Sequence, residues 1–272
     1  MKLVLFSGSH PRHLFINRSL LDYFDDVLVI LMQRGKLMPE PAASLADHDK
    51  ALFLKHFENR VKVEKHNYGD LNADEVYKDC NVIKVNSEEL NSSNIAKRIV
   101  DFNPDFCFIF GVKLILDPVI DILPENKINL HLGLSPWYKG GATLYWPFYH
   151  LEPQFCGVTF HQITHQADAG EIVHQCVPSL ERGDSIHDVG AKCVLKAKED
   201  IPKLLNHWLT YGKFEGKVQN TSGRNWRGQD FHASQLRVIY DLFNDDIVDA
   251  YLDKKLGLRE PNLFSCIDIC ES

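Results

Sequence analysis

Short apolar runs at Lys2–Phe6, Val27–Met32, Val82–Val85, Phe106–Phe110 and Ile128–Leu132 punctuate the first half of the chain, with helical patterns between them. Several are rich in Val and Ile and show no polar alternation, the pattern of strands covered on both faces. Strands that alternate with helices predict an α/β fold with a mostly parallel, twisted sheet. Ser92 or Ser93 is expected to cap a helix that carries Ile95, Ile99 and Phe102 inward and stops before Pro104. Pro41–Lys65 reads as a long polar helix with Leu45, Leu52 and Phe57 turned inward. Phe155–Ile163 and Glu171–Val177 are further strand candidates, and Asp184–Leu205 is helical up to a bend or stop at Pro202. Beyond it the chain is rich in Gly, Asn and Arg. Ala233–Leu256 then shows Leu236, Ile239, Phe243, Ile247 and Tyr251 at steps of three and four, which predicts an amphipathic helix. The change of character divides the chain into a core, residues 1–205, and a C-terminal appendage, residues 206–272.

Composition narrows the function. At 272 residues with 44% hydrophobic side chains, the chain can bury a core without staples. Its net charge of −7 argues against a broad nucleic-acid footprint, which needs a basic face. The most apolar stretch, Phe106–Leu116, is too short to span a bilayer and contains Lys113. The first residues lack the long apolar region of a signal peptide, so a cytoplasmic protein with no membrane partner is expected. Cysteines at 80, 107, 156, 176, 193, 266 and 270 form no Cys-x-x-Cys pair and read as free thiols. No metal-ligand spacing stands out, and His161 and His165 lack a carboxylate in the right place.

Three places could carry chemistry. The loop Ser7–His13 follows the first strand, at the end where open α/β sheets bind ligands. It has neither the glycine spacing of a dinucleotide site nor a Walker lysine, yet His10 and Arg12 beside a helix N-terminus could hold an anion. Asn129 and His131 stand two apart near a strand end, so they share a face. An amide that steadies an oxyanion and an imidazole that moves a proton suit acyl transfer, although that spacing alone is also common in purely structural strands. Asp168 lies in a turn closed by Gly170, and a carboxylate beside an imidazole raises its basicity. Ser135 and Cys156 are conceivable nucleophiles without a nucleophile elbow.

Taken together, Asn129-Leu130-His131, Ser135-Pro136, Lys139-Gly140-Gly141-Ala142, Gly157-Val158-Thr159 and Ala167-Asp168-Ala169-Gly170 resemble the 10-formyltetrahydrofolate-dependent formyltransferases. The resemblance covers residues 1 to about 205. It implies a Rossmann-like core, 10-formyltetrahydrofolate as formyl donor, and Asn129, His131 and Asp168 as the catalytic trio. It further implies that Phe110, Gly111, Val112, Lys113, Leu114 and Ile115 hold the pterin ring, with the loop from Gln162 to Ala167 as the other wall. Three places depart from the family pattern: Gly133 stands where Ser is commoner, Lys139 where Arg is usual, and the Ser7–His13 loop matches none of the family's better-known acceptor loops closely.

The segment beyond the core bears on the acceptor. Acidic side chains outnumber basic ones in residues 211–272, which disfavours methionyl-tRNA, and the chain is longer than the glycinamide ribonucleotide enzymes. Gly223-Arg224-Asn225-Trp226 resembles a stretch in the appendage of sugar N-formyltransferases. A nucleotide-linked amino-dideoxy sugar destined for surface polysaccharide is therefore the expected acceptor, with His10, Arg12, Lys139, Arg224 and Trp226 as its binding residues. Other amine acceptors, and a non-catalytic relative that only binds folate or nucleotide, are the alternatives. The apolar C-terminal helix leaves a homodimer open.

Overall fold

The computed structural model describes residues 1–220 and 223–267; Cys270 lies outside the described residues. A seven-stranded sheet forms from β1 (Lys2–Gly8), β2 (Asp26–Met32), β3 (Asn81–Val85), β4 (Phe106–Phe110), β5 (Lys127–His131), β7 (Val158–Gln162) and β8 (Ile172–Cys176), in the order β3-β2-β1-β4-β5-β7-β8. The first five strands are parallel, while β7 pairs antiparallel with both β5 and β8. A separate ribbon pairs β6 (Tyr138–Gly140) with β9 (Arg224–Trp226). The expected strands are all present, and only β6 and β9, at three residues each, carry no apolar run that would reveal them.

Alternation along β1 divides the core. Leu3 and Leu5 enter a cluster with α1 (Pro11–Leu21), α2 (Asp47–Tyr68) and α6 (Ile186–Tyr211). Val4 and Phe6 face the opposite cluster with Ile95 and Ile99 of α4 (Ser93–Phe102). Covered faces on both sides explain why β1, β2 and β4 tolerate almost no polar residue. The caps follow the sequence: the Ser92 hydroxyl accepts from the Ile95 N–H, and Asn103 at φ 52° ends α4 just before Pro104. The short helices α3 (Ala73–Val76), α5 (Trp146–Tyr149) and α7 (Ile247–Leu252) complete the chain.

The C-terminal part differs from expectation. Pro202 does not stop α6, which runs on to Tyr211, so the expected division at 205/206 falls inside a helix. The predicted helix Ala233–Leu256 is broken into a 3-10 turn at Ala233–Gln235, a π-turn at Val238–Leu242 and α7. Asn244 and Asp245 adopt left-handed backbone, φ 52° and 63°, which an α-helix cannot accommodate. The break lets the Asp245 carboxylate accept from the Ile186 N–H at the start of α6 (3.1 Å), so a tertiary cap overrides the periodic pattern. Leu236, Ile239 and Ile247 are still buried, but within the chain's own core, which removes the argument for a dimer. Arg237 grips Asp49 of α2 through Nε (2.7 Å) and Nη2 (3.1 Å), and the Tyr240 hydroxyl meets His56 Nδ1 (2.9 Å). No helix among the described residues is long and apolar enough to cross a membrane.

Trp226 is the main apolar anchor of the β6–β9 ribbon. Its ring stacks on the fully buried Trp146 at 3.9 Å and 12°. Trp226→Ala should destabilise the protein by about 3 kcal/mol, the lower end for removing a packed tryptophan because Trp226 is only half-buried. A urea titration followed by far-UV circular dichroism measures this; an unchanged midpoint would mean that the ribbon is held by its backbone bonds alone.

Candidate active site

The ends of β1, β4 and β5 open into one cavity of about 650 Å³. It lies where the strand order turns back, between β1 and β4, the position at which open α/β sheets bind ligands. β5 delivers Asn129 and His131 to it, and β7, antiparallel beside it, sets His161 directly opposite Asn129.

His131 Nε2 lies 2.9 Å from the Tyr138 carbonyl, which can only accept, so Nε2 carries the hydrogen and Nδ1 is left as the basic nitrogen. Nδ1 is 3.5 Å from Asp168 Oδ1. This approach depends on Gly133: a Cβ there would sit 2.5 Å from His131 Nε2 and 2.6 Å from the Tyr138 oxygen. The departure to glycine at 133 is thus matched to the ring it abuts. The turn after it is pinned to the sheet, because Thr159 Oγ1 donates to the Gly133 carbonyl (2.8 Å) and accepts from the Ser135 N–H (2.9 Å).

Asp168 takes left-handed backbone, φ 49°, which aspartate tolerates better than most residues. Its Oδ2 accepts from the Gly140 N–H (2.8 Å), and its Oδ1 is 3.3 Å from His161 Nε2. Gly140 has φ 88°, and a Cβ on it would fall 2.1 Å from the Trp226 carbonyl, so only glycine allows β9 this close. His161 Nδ1 donates to the Gln162 carbonyl (2.7 Å), and with the hydrogen placed there Nε2 accepts from Asn129 Nδ2 at 3.0 Å. One Asn129 N–H is thereby fixed and the second is left to act on a ligand.

Electrostatics follow from burial. Burial pulls the His131 pKa below the ordinary imidazole value, against the Asp168 charge and the bond to Tyr138, both of which raise it. Burial would raise Asp168, but His131, His161 and the Gly140 N–H outweigh it and hold the carboxyl well below the usual carboxylate range. A neutral imidazole beside a permanent carboxylate can take up a proton and keep its charge compensated.

The sequence profile of the formyl transferase family matches residues 50–205. The chain belongs to that family. Solved structures share the fold of this formyltransferase. A sugar N-formyltransferase from Shewanella sp. is 16% identical, with 85% of this chain and 78% of that one covered at a TM-score of 0.56. The formyltransferase PseJ from Anoxybacillus kamchatkensis, solved with UDP-4,6-dideoxy-4-formamido-L-AltNAc and tetrahydrofolate, is 19% identical over 91% of this chain and 96% of its own, at a TM-score of 0.51. Phosphoribosylglycinamide formyltransferase from Anaplasma phagocytophilum is 17% identical over 84% of this chain and 97% of its own, at 0.53. At these identities the likeness establishes the fold.

Among the residues expected from sequence, Asn129, His131, Asp168, the run Phe110–Ile115, Ala167, His10 and Arg12 all line the cavity. Gln162 does not; it remains in β7, and Ile163, Thr164 and Gln166 form that wall instead. Lys139 is buried in β6 away from the cavity lining, and Arg224 and Trp226 border a separate recess of about 320 Å³. The ribbon accounts for this: Tyr138–Gly140 pairs with Arg224–Trp226, and the Trp226 ring is engaged in its stack on Trp146. His10 is present but carries no charge for an anion. Burial lowers its pKa to about 4, and its Nε2 donates to the Gly35 carbonyl (2.9 Å). Ser135 is fully buried and Cys156 lies against Cys193 (3.8 Å), so neither borders the cavity as a nucleophile. Sequence reasoning missed His161, whose only signal is its register opposite Asn129, and it missed Arg34, Arg60 and Glu64, which long-range packing brings in.

Titration of the His131 ring by NMR checks the electrostatics. It should titrate below 6.5, and Asp168→Asn should lower it further, because the substitution removes the charge that favours the imidazolium while burial persists. An upward shift in Asp168→Asn would show that the carboxylate does not act on this ring.

Proposed function

We propose that this formyltransferase carries the formyl group of 10-formyltetrahydrofolate to the amine of a nucleotide-linked amino-dideoxy sugar. The observation that carries the reading is the His131–Asp168 pair in one cavity with Phe110–Ile115. Gly111–Ile115 leaves the sheet through a bend at Gly111 (φ 78°) with no helix or strand of its own; the Leu114 carbonyl accepts from Asn91 Nδ2 (3.0 Å), and the other main-chain groups can meet a flat heterocycle rich in donors and acceptors. Ile109, Val112 and Ile163 give that end an apolar lining. The residues fit a folate donor, and PseJ, with the same fold, holds tetrahydrofolate and a nucleotide-linked formamido sugar.

The bound donor supplies an electrophilic formyl carbon, which forms a bond to the acceptor nitrogen as its bond to the folate nitrogen breaks. Asn129, held by His161, directs its remaining N–H toward the charge that develops on the formyl oxygen. His131 takes the proton of the attacking amine at Nδ1, directly or through a water, Asp168 compensates the resulting imidazolium, and the proton then passes to the departing folate nitrogen. Protonation of His131 before attack removes the base, so the ionisation that His131 adds to the acid side of kcat/KM, beside that of the acceptor amine, should lie below pH 6.5.

Turnover of 10-formyltetrahydrofolate against a panel of nucleotide-linked amino sugars, glycinamide ribonucleotide and methionyl-tRNA tests the assignment. A formamido sugar nucleotide is the expected product, and a product from either of the other acceptors would overturn the acceptor class. Asn129→Ala should cost about 10²–10³ in kcat with folate affinity retained. His131→Ala and Asp168→Ala should lose turnover while the circular dichroism spectrum is unchanged; near-normal turnover in His131→Ala removes it from the mechanism.

A further inference from the structure

The cavity extends past the His131–Asp168 pair to a cationic end that the proton transfer does not use. Arg12 from the first turn of α1, Arg34 just beyond β2 and Arg60 from α2 all line it. A single carboxylate stands among them: Glu64 lies 3.2 Å from Arg12 Nη1 and 4.0 Å from Arg60 Nε. Among the described residues no other carboxylate pairs with these guanidiniums, and Arg34 has no ion pair. Three positive charges against one negative leave an excess of two.

The neighbouring histidines do not alter this sum. Burial holds His10, His13, His56 and His187 below the ordinary imidazole value. The arginines also crowd one another: burial, followed by the Arg12 charge, lowers both Arg34 and Arg60. Arg12 Nε and Arg60 Nε are buried without a hydrogen-bond partner. Unpaired donors on mutually repelling cations are costly unless an anion completes the set.

We infer that Arg12, Arg34 and Arg60 clamp the diphosphate of the acceptor. The assignment rests on the sugar-nucleotide reading and locates its phosphates here rather than at Arg224 and Trp226. Two negative charges match the excess, and guanidinium forks suit phosphoryl oxygens. Arg12 follows β1 and His131 ends β5, two strands away, a separation of about 10 Å that a hexose and its first phosphate can bridge. Half-buried Phe57 and Phe231 line the same end, and the Arg60 guanidinium lies 4.6 Å from the Phe57 ring centre, so the base of the nucleotide meets aromatic faces next to the clamp.

A phosphate monoester shares this chemistry, so the test separates the two. Isothermal titration calorimetry of the full chain with UDP, dTDP, pyrophosphate, ribose 5-phosphate and orthophosphate should show binding of a nucleoside diphosphate in preference to the monoesters. Arg34→Gln and Arg60→Gln should each weaken it about 10- to 100-fold, the loss of a charge-assisted pair, with folate affinity unchanged. Arg34→Lys, which keeps the charge, should recover part of the loss, and Arg224→Gln should have no effect. Unchanged affinity in both glutamine variants overturns the clamp, as does binding of ribose 5-phosphate in preference to the nucleotides. Formylation of a sugar nucleotide with an unaltered KM in those variants would leave the proposed reaction standing and remove the clamp. Arginine-dependent nucleotide binding without sugar formylation would do the reverse.

Discussion

The Asp168 carboxylate is where the separate parts of this structure meet. It lies, mostly buried, beside His131 and His161 and takes the Gly140 N–H, so it ties the ends of β5 and β7 and the β6–β9 ribbon into one geometry. Its charge keeps a buried imidazole basic enough to act, and its left-handed backbone is held by Gln219, whose side chain donates to the carbonyls of Asp168 and Gly170 (2.8 Å each). A carboxylate in such surroundings stays ionised because neighbouring groups compensate it. Loosening any one of them therefore acts on the proton-transfer pair through Asp168.

That dependence gives the C-terminal segment a part in the site. Gln219 braces the Asp168 turn, β9 positions Gly140, and Phe231 closes one end of the cavity. Arg237 and Tyr240 fasten the same segment to α2, the helix that contributes Arg60 and Glu64. Residues after the family-matched stretch thus shape both the reacting centre and the cationic end. The cavity is divided accordingly: irregular backbone outside helix and strand at one end, paired imidazoles and a carboxylate in the middle, and arginines with aromatic rings beyond.

Much of this was legible beforehand where the signal is local. A strand covered on both faces must be continuously apolar, so β1, β2 and β4 announce themselves; Ser92 and Pro104 bracket α4 because cap and breaker act within a turn. Asn129 and His131 share a face because strand periodicity leaves no alternative. The segment 233–256 misled for the opposite reason. Its helical period is real, yet a partly buried bond from the Ile186 N–H to Asp245 interrupts it, and no local pattern reports a partner that far along the chain.

The sequence by itself determined the strand–helix alternation, the end of the sheet where ligands bind, and the chemical identity of Asn129, His131 and Asp168, because side-chain chemistry and backbone period are properties of neighbouring residues. Only the tertiary structure decided which histidine orients Asn129, which nitrogen of His131 is basic, and that Arg12, Arg34 and Arg60 converge on one anion-sized space while Arg224 and Trp226 turn away. Those outcomes depend on strand register, on the close approach that Gly133 and Gly140 permit, and on the packing of α2 against the C-terminal segment. Each brings together residues too far apart in the chain for any periodicity to relate.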